Sequence, residues 1–179
     1  MRTLTEKLYK ESVGSLKQKF SYVNNLEIPK LKMISINVGI KAVDSDNKFL
    51  SYILAQISNI SGQKAVLTKS RKAISSFKLR KDLAIGCRVT LRGKKMYQFL
   101  DKLINISIPR VRDFRGLSAR GFNQSGHYSF GVKEHSIFLE TDIDNILKNF
   151  GLNITIVTTA KTKAESLFLL QKLNFPITK

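Results

Sequence analysis

The sequence is poor in the residues that build disulfides and metal centres. Cys87 is its one cysteine, which excludes an internal disulfide. With His127 and His135 as the only histidines, too few soft ligands remain for a zinc site. Metal-dependent nucleases that need a His/Cys cluster are excluded with it. No apolar run approaches the roughly 20 residues required to cross a bilayer. Met1-Arg2-Thr3-Leu4 lacks the apolar stretch of a secretory signal, so a reducing compartment and no membrane partner are expected. There is no phosphate loop and no nucleophile elbow. No two glycines stand three apart, which excludes a GXXG loop, and the RNP1 pattern is missing.

Acidic residues are scarce as well: 13 Asp and Glu face 31 Lys and Arg, for a formal net charge of +18 over 179 residues. Such self-repulsion in a chain with an ordinary 42% hydrophobic content argues for a polyanionic partner. The excess is concentrated. Residues 61–120 carry 16 of the basic and 3 of the acidic side chains. A solvated basic face predicts more scatter; a segment this lopsided predicts a nucleic-acid footprint.

The apolar periodicities predict an α+β fold, a mainly antiparallel sheet with helices packed on one face. Thr3-Leu4-Thr5-Glu6 has capping-box spacing and opens a helix whose apolar face is Leu4, Leu8, Leu16 and Phe20. After Pro29, Ile34, Ile36, Val38 and Ile40 alternate with polar residues as in a half-buried strand. Asp46 or Asn47 can cap a second helix, striped by Phe49, Leu50, Ile53, Leu54, Ile57 and Ile60 and stopped by Gly62. A short strand over 65–69 is followed by a basic, aperiodic segment, 70–84, expected to be a mobile loop. Residues 86–92 alternate again, with Cys87, Val89 and Leu91 opposite Arg88, Thr90 and Arg92. Residues 94–108 predict one helix that Pro109 closes, and 109–126 an Arg/Gly-rich loop. Short strands are expected at 127–132 and 136–139, and a short helix capped by Asp142 through Ile143, Ile146, Leu147 and Phe150. Residues 152–159 predict a strand, and Thr162 a capping box for the last helix. With no repeat or low-complexity tail, one domain over 1–179 is expected.

Helices covering the apolar side would leave the other side of the sheet open. There the strands present Asn37, Arg88, Thr90 and Arg92, with Asn153 and Thr155 if they share that orientation, flanked by Gln63 and Lys64. Guanidinium forks suit phosphate oxygens, while Asn, Gln and Thr reach 2′-hydroxyls and base edges. Taken singly, Asn37 or Thr90 is an ordinary exposed strand residue. Their alignment is what predicts an RNA surface. Around Phe77 and Leu79, the basic residues Lys78, Arg80 and Lys81 suit a phosphate-tracking finger. His127 and His135 leave a basic ribonuclease as an alternative, and an RNA chaperone as a third.

The stretches Ile60-Ser61-Gly62-Gln63-Lys64, Thr68-Lys69-Ser70-Arg71-Lys72-Ala73, Phe77-Lys78-Leu79-Arg80, Val89-Thr90-Leu91-Arg92-Gly93 and Thr158-Thr159-Ala160-Lys161 stand beside a longer block, Ile108-Pro109-Arg110-Val111-Arg112-Asp113-Phe114-Arg115-Gly116-Leu117-Ser118. Together they are similar to the bacterial-type large-subunit ribosomal protein five family. The resemblance covers essentially the whole chain. It implies a non-enzymatic protein of the central protuberance, without cofactor or metal, that grips 5S rRNA through Asn37, Gln63, Thr90 and Arg92. It further implies contact of the loop at about 75–84 with P-site tRNA. Arg110, Arg112 and Arg115, with Glu134, Glu140 and Asp142 in the acidic-leaning stretch, correspond to the side that bridges to small-subunit ribosomal protein thirteen. Large-subunit rRNA and neighbouring central-protuberance proteins are the other partners implied.

Two stretches depart from the family. Phe122-Asn123-Gln124-Ser125-Gly126-His127-Tyr128 stands where relatives read Phe-Asp-Gly-Arg-Gly-Asn-Tyr, and Phe138-Leu139-Glu140-Thr141 where they read Phe-Pro-Glu-Ile. Both weaken the bridge assignment relative to the 5S rRNA face. Richness in Lys, Asn, Ile, Leu and Phe is the bias of an AT-rich gene. It favours an organellar, mitochondrial ribosome over a plastid or bacterial one.

Overall fold

Alternation builds the sheet. In the computed structural model, which describes residues 3–40, 47–141 and 146–178, strand β1 (Leu31–Gly39) buries Leu31, Ile34, Ile36 and Val38. Strands β2 (Val66–Lys69), β3 (Ala84–Leu91), β5 (Tyr128–Val132) and β6 (Leu152–Thr158) join it in the order β2-β3-β1-β6-β5. The sheet is mainly antiparallel, and the fold is α+β as expected. A second, parallel pair links β4 (Leu117–Ser118) to β7 (Ile177–Thr178). Four helices complete the fold: α1 (Leu4–Phe20), α2 (Asn47–Ser61), α3 (Gly93–Lys102) and α4 (Lys163–Lys172). The chain divides into two compact units, one from Met1–Ile34, Arg92–Phe130 and Thr155–Lys179, the other from Ser35–Leu91 and Gly131–Ile154.

In the first unit, Thr3 caps α1 by accepting from the Glu6 amide at 3.4 Å. The expected face holds in part: Leu16 is fully buried and Leu8 and Phe20 are half-buried, but Leu4 is 52% exposed, and Thr5 and Ser12 point inward instead. Thr5 turns in because both its amide and its hydroxyl donate to Asp101 Oδ1. The helix expected over 94–108 ends as an α-helix at Lys102. It continues as a π turn, Leu103–Ser107, and a 3-10 turn, Ile108–Arg110. The wider turn brings Leu103, Ser107 and Ile108 to the buried side together. The Arg/Gly-rich stretch is not wholly irregular, since Leu117 and Ser118 pair with Ile177 and Thr178.

Thr162 caps α4, accepting from the Glu165 amide at 3.4 Å, while Glu165 Oε2 accepts from the Lys161 amide at 2.9 Å. Thr162→Ala leaves one of these first-turn amides without its acceptor. Urea unfolding of this variant should show a loss of about 1 kcal/mol.

In the second unit, α2 buries Leu50, Ile53, Ile57 and Ile60, and Gly62 ends it with φ +64°, the left-handed stop that glycine adopts without strain. The proposed cap Asp46 lies outside the described residues. Residues 70–83, expected to be aperiodic, form a braced hairpin. Ser70 donates its amide to Leu83 O at 2.9 Å, and Ile74 and Leu79 exchange both backbone bonds at 3.0 Å. Lys78 and Asp82 supply the left-handed turns. No strand forms over 136–139; His135–Ile137 is a 3-10 turn. The buried His135 ring stacks on Phe150 at 4.0 Å, and Thr141 Oγ1 donates to His135 O at 3.1 Å, which together curl the chain. Residues 146–150 are not helical, whereas Asp142 and Ile143 lie outside the described residues.

Candidate nucleic-acid interface

Strand β3 sorts its side chains by pleat. Cys87, Val89 and Leu91 are buried; Arg88 is exposed and Thr90 half-buried on the opposite side. The neighbouring β1 does the same, burying Ile36 and Val38 and leaving Asn37 half-buried, its Nδ2 donating to Ser35 Oγ at 3.4 Å. These strands approach closely at Gly86, where a Cβ would stand 2.2 Å from Val38 O.

The α2 stop delivers Gln63 to this face. Ser61 Oγ donates to Gln63 O at 2.9 Å and accepts from the Gln63 amide at 3.3 Å, fixing the backbone. Gln63 Nε2 then donates to Thr90 O at 3.2 Å. Held this way, the amide carbonyl of Gln63 remains an acceptor for an incoming hydroxyl or amino group. Gln63, Lys64, Val66, Thr68, Arg88, Val89 and Thr90 line an open cleft of about 410 Å³. Val66 and Thr68 were not among the residues expected here. Their place follows from antiparallel pairing, Val66 opposite Arg88 and Thr68 opposite Gly86, which strand alternation alone does not disclose.

In the second unit Gln63, Lys64, Arg88 and Thr90 share this cleft, and Asn37 stands on the neighbouring strand β1. Arg92 belongs to the first unit, where it is the exposed N-cap of α3 and makes no side-chain capping bond. Asn153 is exposed on β6, and Thr155 Oγ1 meets Ser129 Oγ at 3.0 Å. Lys78, Arg80 and Lys81 are exposed on the braced hairpin, with Phe77 68% exposed beside them. Arg110, Arg112 and Arg115 are exposed in the first unit; Glu134 is exposed and Glu140 half-exposed in the second. Asp142 lies outside the described residues.

Burial pushes the Cys87 thiol up to about 11, so it is no nucleophile at neutral pH. Among the described residues no cluster of His, Cys, Asp or Glu could hold a metal. A two-histidine ribonuclease needs both imidazoles at the substrate, yet His135 has no solvent exposure. Its Nε2 meets Tyr52 Oη at 3.2 Å.

Known proteins are similar to this chain over nearly its whole length. A family profile described as ribosomal protein L5 matches residues 24–80, and the profile for the C-terminus of that ribosomal family matches 84–177. The large ribosomal subunit protein uL5 of Desulfovibrio desulfuricans is 48% identical over 178 residues, covering 99% of each chain. Those of Geobacter sulfurreducens and Xanthomonas campestris are 50% identical over 176 and 177 residues, each covering 98% of both chains. These relatives are bacterial, which gives the mitochondrial expectation no support.

Proposed function

Because the chain belongs to the ribosomal protein L5 family, we propose that it is a structural, non-catalytic constituent of the large ribosomal subunit whose open sheet face holds 5S rRNA. One observation carries this reading. The outward side chains of β3, Arg88 and Thr90, stand over a cleft in which Gln63 is already locked to the Thr90 carbonyl. A guanidinium beside prepositioned acceptors fits a sugar–phosphate backbone whose 2′-hydroxyls need partners. Arg92, next in the chain after β3 and part of the first unit, is a further guanidinium assigned to 5S rRNA on this reading.

The same reading assigns the finer contacts. Lys78, Arg80 and Lys81 on the hairpin face P-site tRNA. Arg110, Arg112 and Arg115, with Glu134 and Glu140, face the small-subunit head and its protein thirteen. Large-subunit rRNA and neighbouring proteins of the central protuberance complete the partners. The ribosome proposed is of bacterial type.

Binding assays separate these roles. Arg88→Ala and Arg92→Ala should each weaken 5S rRNA binding about tenfold and flatten the slope of log K against log salt by about 1. Neutralising Lys78, Arg80 and Lys81 together should leave 5S rRNA binding unchanged and weaken tRNA binding. Charge removal is preferable to deleting the loop, because Ala84 belongs to β3 and Ser70 is bonded to Leu83. If the intact protein bound 5S rRNA no better than a scrambled RNA of equal length, the assignment would be lost.

A further inference from the structure

In the first unit, Arg112 and Arg115 stand on a loop between the 3-10 turn at Ile108–Arg110 and the short strand β4. Two residues of this loop have left-handed backbone, Asp113 at φ 51° and Gly116 at φ +100°. Glycine adopts that conformation without strain. Aspartate does so at a cost, and keeps it where the surroundings fix the chain. Arg112, Asp113 and Arg115 are exposed, so burial of their own side chains does not fix it. The two ends of the loop do.

At the first end Ile108 is buried, and its carbonyl accepts from the Val111 amide at 3.1 Å. At the second, the loop runs into β4, two residues whose ladder partner is β7. The Leu117 amide donates to Pro176 O at 2.8 Å, and Thr178 Oγ1 donates to Leu117 O at 3.3 Å. Gly116 lies so close to Thr178 that a Cβ there would overlap its side chain. Tyr128 adds a third tie, its hydroxyl donating to Ser118 O at 3.0 Å. Its ring is 1% exposed, wedged against Phe122 and Phe175 at centroid distances of 4.4 and 5.9 Å, so the hydroxyl cannot swing away. Burial pushes that hydroxyl up to about 12, which keeps it a donor at neutral pH. A pairing of two residues is marginal by itself and opens more easily than the long strands. Order in the arginine loop is therefore conditional on β7 and Tyr128.

We infer that β7 is a strap that positions the arginine loop. With β4 held by Thr178 and Tyr128, Arg112 and Arg115 meet their partner in one preset arrangement; with β4 released, they must be ordered on contact. A guanidinium is a planar fork whose strength depends on direction. Two forks on a fixed backbone therefore bind with less ordering cost than two on a mobile loop. Thr178 and Tyr128 are positioning residues: they act through β4 and leave the partner to the arginines. The inference rests on the reading in which these arginines face the small-subunit head, and it is independent of the sheet face that holds 5S rRNA.

The test uses the purified full chain and large subunits assembled in cells with it. Tyr128→Phe with Thr178→Val removes both hydroxyl donors and keeps the ring and the branched side chain. In the purified chain, amide exchange over residues 112–118 should quicken about tenfold, while that of β3 stays as in the parent. Large subunits carrying this variant should associate with small subunits about threefold more weakly, with unchanged salt dependence because no charge is lost. Binding to purified 5S rRNA should stay within about twofold of the parent. Thr178→Ser in place of Thr178→Val returns one donor and should recover part of both effects. Arg112→Ala with Arg115→Ala is the contrast: exchange like the parent's, weaker association and a flatter salt dependence. The inference is overturned if exchange over 112–118 is unchanged in the variant that lacks both donors, or if it quickens while association holds. A parallel fall in 5S rRNA binding would also overturn it, by marking a loss of the fold beyond one loop. Failure of the bridging reading shows elsewhere: the arginine variant itself would then associate like the parent.

Discussion

Gly86→Ala is expected to destabilise the protein by about 3 kcal/mol, read as a lowered urea midpoint with an unchanged slope. The added Cβ would stand 2.2 Å from Val38 O and 3.2 Å from Thr68 Oγ1. The first obstacle is backbone, so no rotamer change relieves it, and β3 must move away from β1. That movement breaks more than local packing. Ile40 donates its amide to Ile85 O at 2.9 Å, and Gly86 sits opposite Thr68 in the β2–β3 register. Arg88 and Thr90 follow on the same strand, so 5S rRNA affinity should fall along with stability. Gly39→Ala is the control: its Cβ meets nothing within 4 Å, and its cost should stay within about 0.5 kcal/mol. Equal midpoints for the two variants would contradict the close approach at Gly86.

The same residue shows what the sequence makes legible. Alternation at β1 and β3 is readable because each strand buries one face, so Asn37, Arg88 and Thr90 announce their side by their neighbours. Gly62 marks the helix stop, and with it Gln63. Readability ends where structure depends on a distant partner. Leu117-Ser118 is too short to alternate, and only Ile177-Thr178 makes it a strand. The hairpin over 70–83 has no hydrophobic period because most of it is exposed; its order comes from backbone bonds such as Ile74 with Leu79. Residues 136–139 look like a strand, yet the burial of His135 against Phe150 takes precedence over local propensity. In the candidate site, side-chain direction is local information. The Gln63–Thr90 bond and the cleft wall at Val66 and Thr68 are products of pairing.

The buried His135 makes stability pH-dependent at mildly acid pH. Burial lowers its pKa below the ordinary 6.5, opposed in part by the neighbouring Phe150 backbone and by the charge of Glu134. In the unfolded chain the imidazole takes up a proton near 6.5; in the folded chain it resists to lower pH. The unfolded state therefore binds more protons between these two values, and stability falls as pH falls through that window. It is complete above about pH 6.5, declines below it, and levels off once the folded-state pKa is passed. His135→Phe keeps an aromatic ring against Phe150 and removes the titration. Its urea midpoint is lower at pH 8, where the Tyr52 hydroxyl no longer meets Nε2, but it should decline less between pH 7 and 5 than the parent's. Carboxylates titrate in both proteins, so the difference between the two curves isolates the histidine. Parallel curves over that range would show that His135 is protonated as easily in the fold as in the unfolded chain, against its complete burial. The turn it anchors carries Glu134 and leads to Glu140, so acid should loosen this segment before the sheet face that bears Arg88, and 5S rRNA binding should outlast the first loss of stability.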